Sequence, residues 1–167
     1  MLYYISGGQR SGKSRYAQDL ALQLSPSPVY LATSRAWDDD HRQRIARHVA
    51  DRDERWTTLE EEKYLSRLNL IGRTVVLDCV TLWLTNFFTD TNYDVAESLR
   101  QATAEFDELV KQDCTLLVIS NEIGMGLHAS NEAGRKFTDL QGWLNQHIAQ
   151  RADHAIFMVS GLPLTIK

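Results

Sequence analysis

Residues 7–14, Gly7-Gly8-Gln9-Arg10-Ser11-Gly12-Lys13-Ser14, carry the spacing G-x-x-x-x-G-K-[ST]. Chemistry dictates this pattern. A triphosphate brings several negative charges, and glycines let backbone N–H groups curl around its oxygens where side chains would block them. The start of the following helix adds partial positive charge. Lys13 is expected to reach the β- and γ-phosphates, and the Ser14 hydroxyl to complete a Mg²⁺ shell. Downstream, Thr74-Val75-Val76-Leu77-Asp78 reads as a buried strand ending in an acid, the form of a Walker B element. Asp78 is therefore a second candidate for Mg²⁺, directly or through water.

A third group of reactive side chains lies between these two. Of the five histidines, His41, His48, His128, His147 and His154, only His48 has Arg44, Arg47 and Arg52 within about a turn. A neutral imidazole can attack phosphorus, and guanidinium groups can stabilise the anionic transition state. A charge-rich run of this kind is more commonly a solvated helix face. Asn121 and Glu122 follow an apolar run at 115–120, where they can serve a ligand or simply the turn.

The elements that must position these groups alternate. Strands are expected at 2–6, 29–32, 56–60, 74–78, 115–120 and 155–160, with a last edge strand at 164–166 after Gly161-Leu162-Pro163. Helices are expected at 13–24, from about 38 to 50, at 61–70, at 95–111 and from Asn131 to about Arg151. The hydrophobic segment Cys79 to Phe88, with Trp83 and two phenylalanines, suits core or a subunit contact. Alternating strands and helices imply an α/β fold, a P-loop NTPase with a mostly parallel sheet flanked by helices. One domain over 1–167 is expected, with about 35–70 an insertion carrying the histidine helix.

Composition narrows the function. A formal net charge of −4 argues against a nonspecific nucleic-acid binder. Cys79 and Cys114 sit in apolar strand contexts, as buried thiols do. No apolar run approaches the ~20 residues that span a bilayer. The opening stretch reads as strand, P-loop and helix rather than as a signal peptide, so a cytoplasmic protein is expected.

The chain resembles the bifunctional adenosylcobinamide kinase / adenosylcobinamide-phosphate guanylyltransferase family of cobalamin assembly. The resemblance rests on GGQRSGKS at 7–14, YLATS at 30–34, the aspartates at 38–40 and RIARH at 44–48. Trp56 with Thr58 and Glu60, VVLDCVTLWLTN at 75–86, SNEIGMG at 120–126, Arg135 to Asp139 with Asn145, and the C-terminal SGLPLTIK extend it over essentially the whole chain. It implies a RecA-like sheet, a homotrimer and two reactions at one nucleotide site. In the first, the terminal phosphate of ATP or GTP passes to the aminopropanol hydroxyl of adenosylcobinamide. In the second, a histidine, here His48, attacks the α-phosphorus of GTP, and the GMP–histidine adduct hands GMP to adenosylcobinamide phosphate, giving adenosylcobinamide-GDP. Gly7 to Ser14, Ala32, Thr33, Ser34, Val49, Ala50, Asp51, Arg52, Glu60 and Leu82 are the nucleotide contacts it implies. Two positions depart from the family pattern: Val49 stands where an arginine commonly follows the histidine, and Asp53 where a proline commonly follows Arg52. The kinase base is open between Asp78 and Glu122. Two other readings stand beside this one: a P-loop kinase of another small molecule, with His48 structural, and a nucleotide-dependent switch.

Overall fold

The computed structural model describes residues 1–35 and 53–167. The helix expected from about 38 to 50, with His48 and Val49 to Arg52, lies outside the described residues. A seven-stranded sheet, ordered β3-β2-β4-β5-β1-β6-β7, organises the rest. Its strands are β1 (Leu2–Gly7), β2 (Val29–Ala32), β3 (Thr57–Glu60), β4 (Thr74–Asp78), β5 (Thr115–Asn121), β6 (His154–Val159) and β7 (Leu162–Thr165). All neighbours pair in parallel except β6 and β7. The strand after the P-loop strand's neighbour is thus the acid-bearing β4, with β5 inserted between them, as in a RecA-like sheet.

Both faces are covered, so successive residues of a central strand pack into different cores. Val76, Leu117, Ile119 and Ile5 meet α1 (Lys13–Leu24) through Ala17 and Ala21. Val75, Leu77, Leu116 and Val118 face the opposite layer of α2 (Val80–Asp90), α3 (Val95–Leu109) and α4 (Glu132–Arg151). Asp94 and Asn131 cap α3 and α4 by accepting from the N–H groups of Glu97 and Gly134.

Three local expectations change. Residues 61–70 form only a 3-10 turn, Leu65–Arg67, rather than a helix. Side chains from α3 and just beyond it take the backbone groups that a helix would have paired. Glu105 accepts from Ser66 N–H, and the Gln112 amide accepts from Leu70 N–H while donating to the carbonyls of Ser66 and Leu68. The segment after Cys79 is the helix α2, and Trp83, Phe87 and Phe88 are all buried in the core, which removes them as a subunit contact. The last turn is Ser160-Gly161, both at positive φ, a two-residue hairpin that moves the edge strand forward to Leu162–Thr165. Pro163 fits there because an edge strand has a side that needs no N–H. Cys79 and Cys114 are free and buried. Among the described residues no helix is long and apolar enough to cross a membrane.

Candidate nucleotide site at the carboxyl edge of the sheet

The register aligns the candidate residues. Ala32 is level with Glu60 on one side and Asp78 on the other, Asp78 with Ile119, and Ile119 with Ile5. The P-loop leaves β1 two residues past Ile5, so Gly7 to Ser14, Ala32, Glu60 and Asp78 share the carboxyl edge, where parallel sheets bind ligands.

The loop's shape needs its glycines at two places. Gly12 has φ 97° as it enters α1, and a Cβ there would lie 3.2 Å from the Gly161 Cα. A Cβ on Gly7 would lie 2.6 Å from the Met158 carbonyl oxygen and 2.7 Å from Ser11 Oγ. The loop is also pinned from the β6–β7 hairpin, where Gly161 N–H donates to the Ser11 carbonyl at 3.0 Å. Helix α1 starts at Gly12 with no side-chain cap, which leaves its first N–H groups for an anion.

Lys13 is buried, and its Nζ donates to the Gly8 carbonyl at 2.6 Å. Burial lowers its pKa below the usual lysine range, against the opposing pull of the carboxylates Asp78 and Glu122. Both carboxylates therefore lie close enough to act on the P-loop lysine. Cys79 itself is pushed up to about 12, by burial first and by the charge of Asp78 second, so it stays a thiol.

Each carboxylate is held by a tyrosine from a different core. Tyr30, in the α1-side core, donates to Asp78 Oδ2 at 2.8 Å. Tyr4, in the opposite core, donates to Glu122 Oε1 at 3.1 Å. Burial, then the charge of Glu122, drives the Tyr4 phenol far above its ordinary pKa. For Mg²⁺, Ser14 at the start of α1 and Asp78 at the end of β4 supply hard oxygen donors of the type that ion takes, and Asp78 acts electrostatically on the lysine next to Ser14. These residues fit the ion.

Thr33 is fully buried, with its hydroxyl donating to the Cys79 carbonyl at 2.8 Å and its own carbonyl accepting from Asn86 Nδ2 at 2.9 Å. Asn86 also donates to the Glu62 carbonyl at 2.9 Å, joining the end of β2 to the segment after Glu60. Beyond Ser34, Arg35 bonds Glu62 and Asp90. Leu82, in the first turn of α2, packs partly buried against the α1-side core. The structure thus gathers the P-loop, 32–34, Glu60, Asp78 and Leu82 around one end of the sheet.

Several residues at this edge have no role in the sequence reading: Tyr4, Tyr30, Asn86 and Gln141. Asn86 breaks the apolar run of α2, and Gln141 and Asn145 stand four residues apart on the packed side of α4. A polar residue where periodicity demands an apolar one was the available signal.

Comparison with known proteins matches the sequence to a family. The model described as "cobinamide kinase / cobinamide phosphate guanyltransferase" matches residues 3–166. The chain is 38% identical over 167 residues to the bifunctional adenosylcobalamin biosynthesis protein CobP of Pseudomonas aeruginosa, covering 98% of this chain and 95% of that one. It is 34% identical to the bifunctional adenosylcobalamin biosynthesis protein CobU of Escherichia coli, with all of both chains covered. Among solved structures, the flagellar accessory protein FlaH of Methanocaldococcus jannaschii superposes with a TM-score of 0.52 at 15% identity, over 99% of this chain and 77% of that one, a likeness of fold alone. The chain belongs to the cobinamide kinase / cobinamide phosphate guanyltransferase family.

Proposed function

We propose that this protein phosphorylates the aminopropanol hydroxyl of adenosylcobinamide with ATP or GTP and then transfers GMP from GTP to the product. The observation that carries the reading is a P-loop with a buried lysine at the sheet edge that also ends in Asp78, with Glu122 bonded to Gly7, in a chain matched to this family over residues 3–166. In the first reaction the hydroxyl oxygen attacks the γ-phosphorus, the bond to the β–γ bridging oxygen breaks, and a nucleoside diphosphate leaves. Lys13 and the N–H groups at the start of α1 meet the charge on the departing phosphates. Mg²⁺, held by Ser14 and Asp78, supplies further charge neutralisation when bound.

In the second reaction His48 attacks the α-phosphorus of GTP and pyrophosphate leaves, held by the same loop. A phosphate oxygen of adenosylcobinamide phosphate then displaces the histidine nitrogen. His48 has this role by its place in RIARH beside three arginines. Ala32, Ser34, Glu60, Leu82 and Val49 to Arg52 contact the nucleotide, and Thr33 acts by holding the end of β2. The working form is a soluble, cytoplasmic homotrimer.

Incubation with GTP labelled at the α- or the γ-phosphate, followed by denaturation, tests the reading. Acid-labile, alkali-stable label from the α-position only, lost in His48→Ala, is the expected result. Phosphorylation of adenosylcobinamide with no protein label would leave a kinase alone. GTP hydrolysis without either would make the protein a switch.

A further inference from the structure

A glutamate that shares the P-loop cleft stands on a built support, and the two proposed reactions differ in whether they need it. Glu122 follows β5 directly, and its N–H donates to the Gly7 carbonyl at 3.1 Å, so its backbone is tied to the first residue of the P-loop. Its side chain borders an open cleft of about 810 Å³ that Gly8 to Ser11 line on one side and Ile123, Met125 and residues 157–160 on the other.

The support behind Glu122 is directional. Asn145 Nδ2 donates to Glu122 Oε1 at 3.1 Å and to the Asn121 carbonyl at 3.1 Å. Asn145 Oδ1 accepts from Ser120 Oγ at 2.6 Å and from Gln141 Nε2 at 2.9 Å. The oxygen of the amide is therefore committed inward and its nitrogen must face Glu122. Ser120, Gln141, Asn145 and Tyr4 are all buried, and the bonds among Ser120, Gln141 and Asn145 form out of competition with water, while those to Glu122 sit at the partly buried rim. Tyr4 and Asn145 both address Oε1, and among the described residues no group donates to Oε2. A carboxylate fixed through one oxygen, with the other bearing no donor, is arranged to accept a proton.

Resting on the kinase reading above, we infer that Glu122 is the general base of the phosphorylation step, and that Tyr4 and Asn145 are its positioning residues. The adenosylcobinamide hydroxyl, entering through the cleft, forms its new bond to the γ-phosphorus as the β–γ bridging bond breaks, and its proton passes to Glu122 Oε2 and then to water. Asp78 is left to the metal. The guanylyl transfer makes no such demand. Its acceptor is a phosphate monoester whose attacking oxygen is already ionised, so no proton has to leave it.

This difference sets the test. Glu122→Gln keeps the shape and removes the base. With saturating ATP, phosphorylation of adenosylcobinamide should fall in kcat by roughly 10²–10⁴-fold, with the KM for nucleotide unchanged. Transfer of GMP from GTP to preformed adenosylcobinamide phosphate should lose far less than phosphorylation does, and its persistence also shows that the variant is folded. Tyr4→Phe should lower the same kcat by about tenfold, a loss of one hydrogen bond to a charged group, again sparing GMP transfer. Asp78→Asn should impair both reactions. Equal loss of both activities in Glu122→Gln, or unchanged phosphorylation, overturns the inference. A native protein inactive on adenosylcobinamide in the same assay refutes the kinase reading itself, and the inference with it.

Discussion

Asn86 offers a sharp test of how the nucleotide edge is held together. Its side chain is fully buried in α2 and donates to two carbonyls from separate segments, Thr33 at the end of β2 and Glu62 after β3. Asn86→Ala removes both donors and leaves the carbonyls behind. The Thr33 bond is buried, so its unpaired carbonyl costs about 1–3 kcal/mol. The Glu62 bond is partly solvated, and water can replace it for about 0.5–1.5 kcal/mol. Asn86 Oδ1 is buried with no hydrogen-bond partner to lose, and deleting that unpaired oxygen offsets part of this cost. The two losses sum to about 1.5–4.5 kcal/mol and the offset leaves a net of about 1–3 kcal/mol, to be read as a lowered urea midpoint at unchanged m-value. The same change frees residues 32–34 from the Glu60 segment, so the Kd for a fluorescent GTP analogue should rise by about tenfold or more even where the protein remains folded. A stability loss below about 0.5 kcal/mol with unchanged GTP affinity would refute the reasoning.

Two further perturbations probe the loop and the surface. Gly7→Ala puts a methyl group 2.6 Å from the Met158 carbonyl oxygen, so the P-loop must shift; a loss of about 1–3 kcal/mol and weakened GTP binding should appear in thermal and titration assays, and unchanged affinity would show that the loop yields without cost. Asp90 is held down to about 2 by Arg35 and then Lys63. Its folded value is below the unfolded one of roughly 3.9, so its stabilisation is complete above that pH and is lost as pH falls through about 2. Because the pair is largely exposed, Asp90→Asn should cost at most about 1 kcal/mol at pH 7, with the difference from the native protein vanishing near pH 2 in denaturant titrations.

The sequence made the sheet legible because each central strand is an apolar run and each helix keeps a stripe: Val75 to Leu77 and Leu116 to Ile119 can only be buried on both faces. The P-loop was legible because its chemistry is local. Residues 61–70 misled because Leu65 and Leu68 do fall at helical spacing, while what decides their conformation is the Gln112 amide more than 40 residues away. The polar support of Glu122 was hidden for the same reason. Tyr4 is 118 positions from the carboxylate it bonds, and Asn145 is 23. Each, taken alone, reads as an ordinary strand or helix residue. The choice between Asp78 and Glu122, open from the sequence, rests on Glu122 bordering the cleft on a built polar support while Asp78 is left to the metal.

The central claim is that one P-loop serves two successive transfers. Its most direct measurement is the mass of the corrinoid product after incubation of the purified protein with adenosylcobinamide, GTP and Mg²⁺. The account predicts adenosylcobinamide phosphate early and adenosylcobinamide-GDP at completion, with neither formed by Lys13→Ala. Recovery of unmodified adenosylcobinamide from the native protein, or equal conversion by Lys13→Ala, would contradict it.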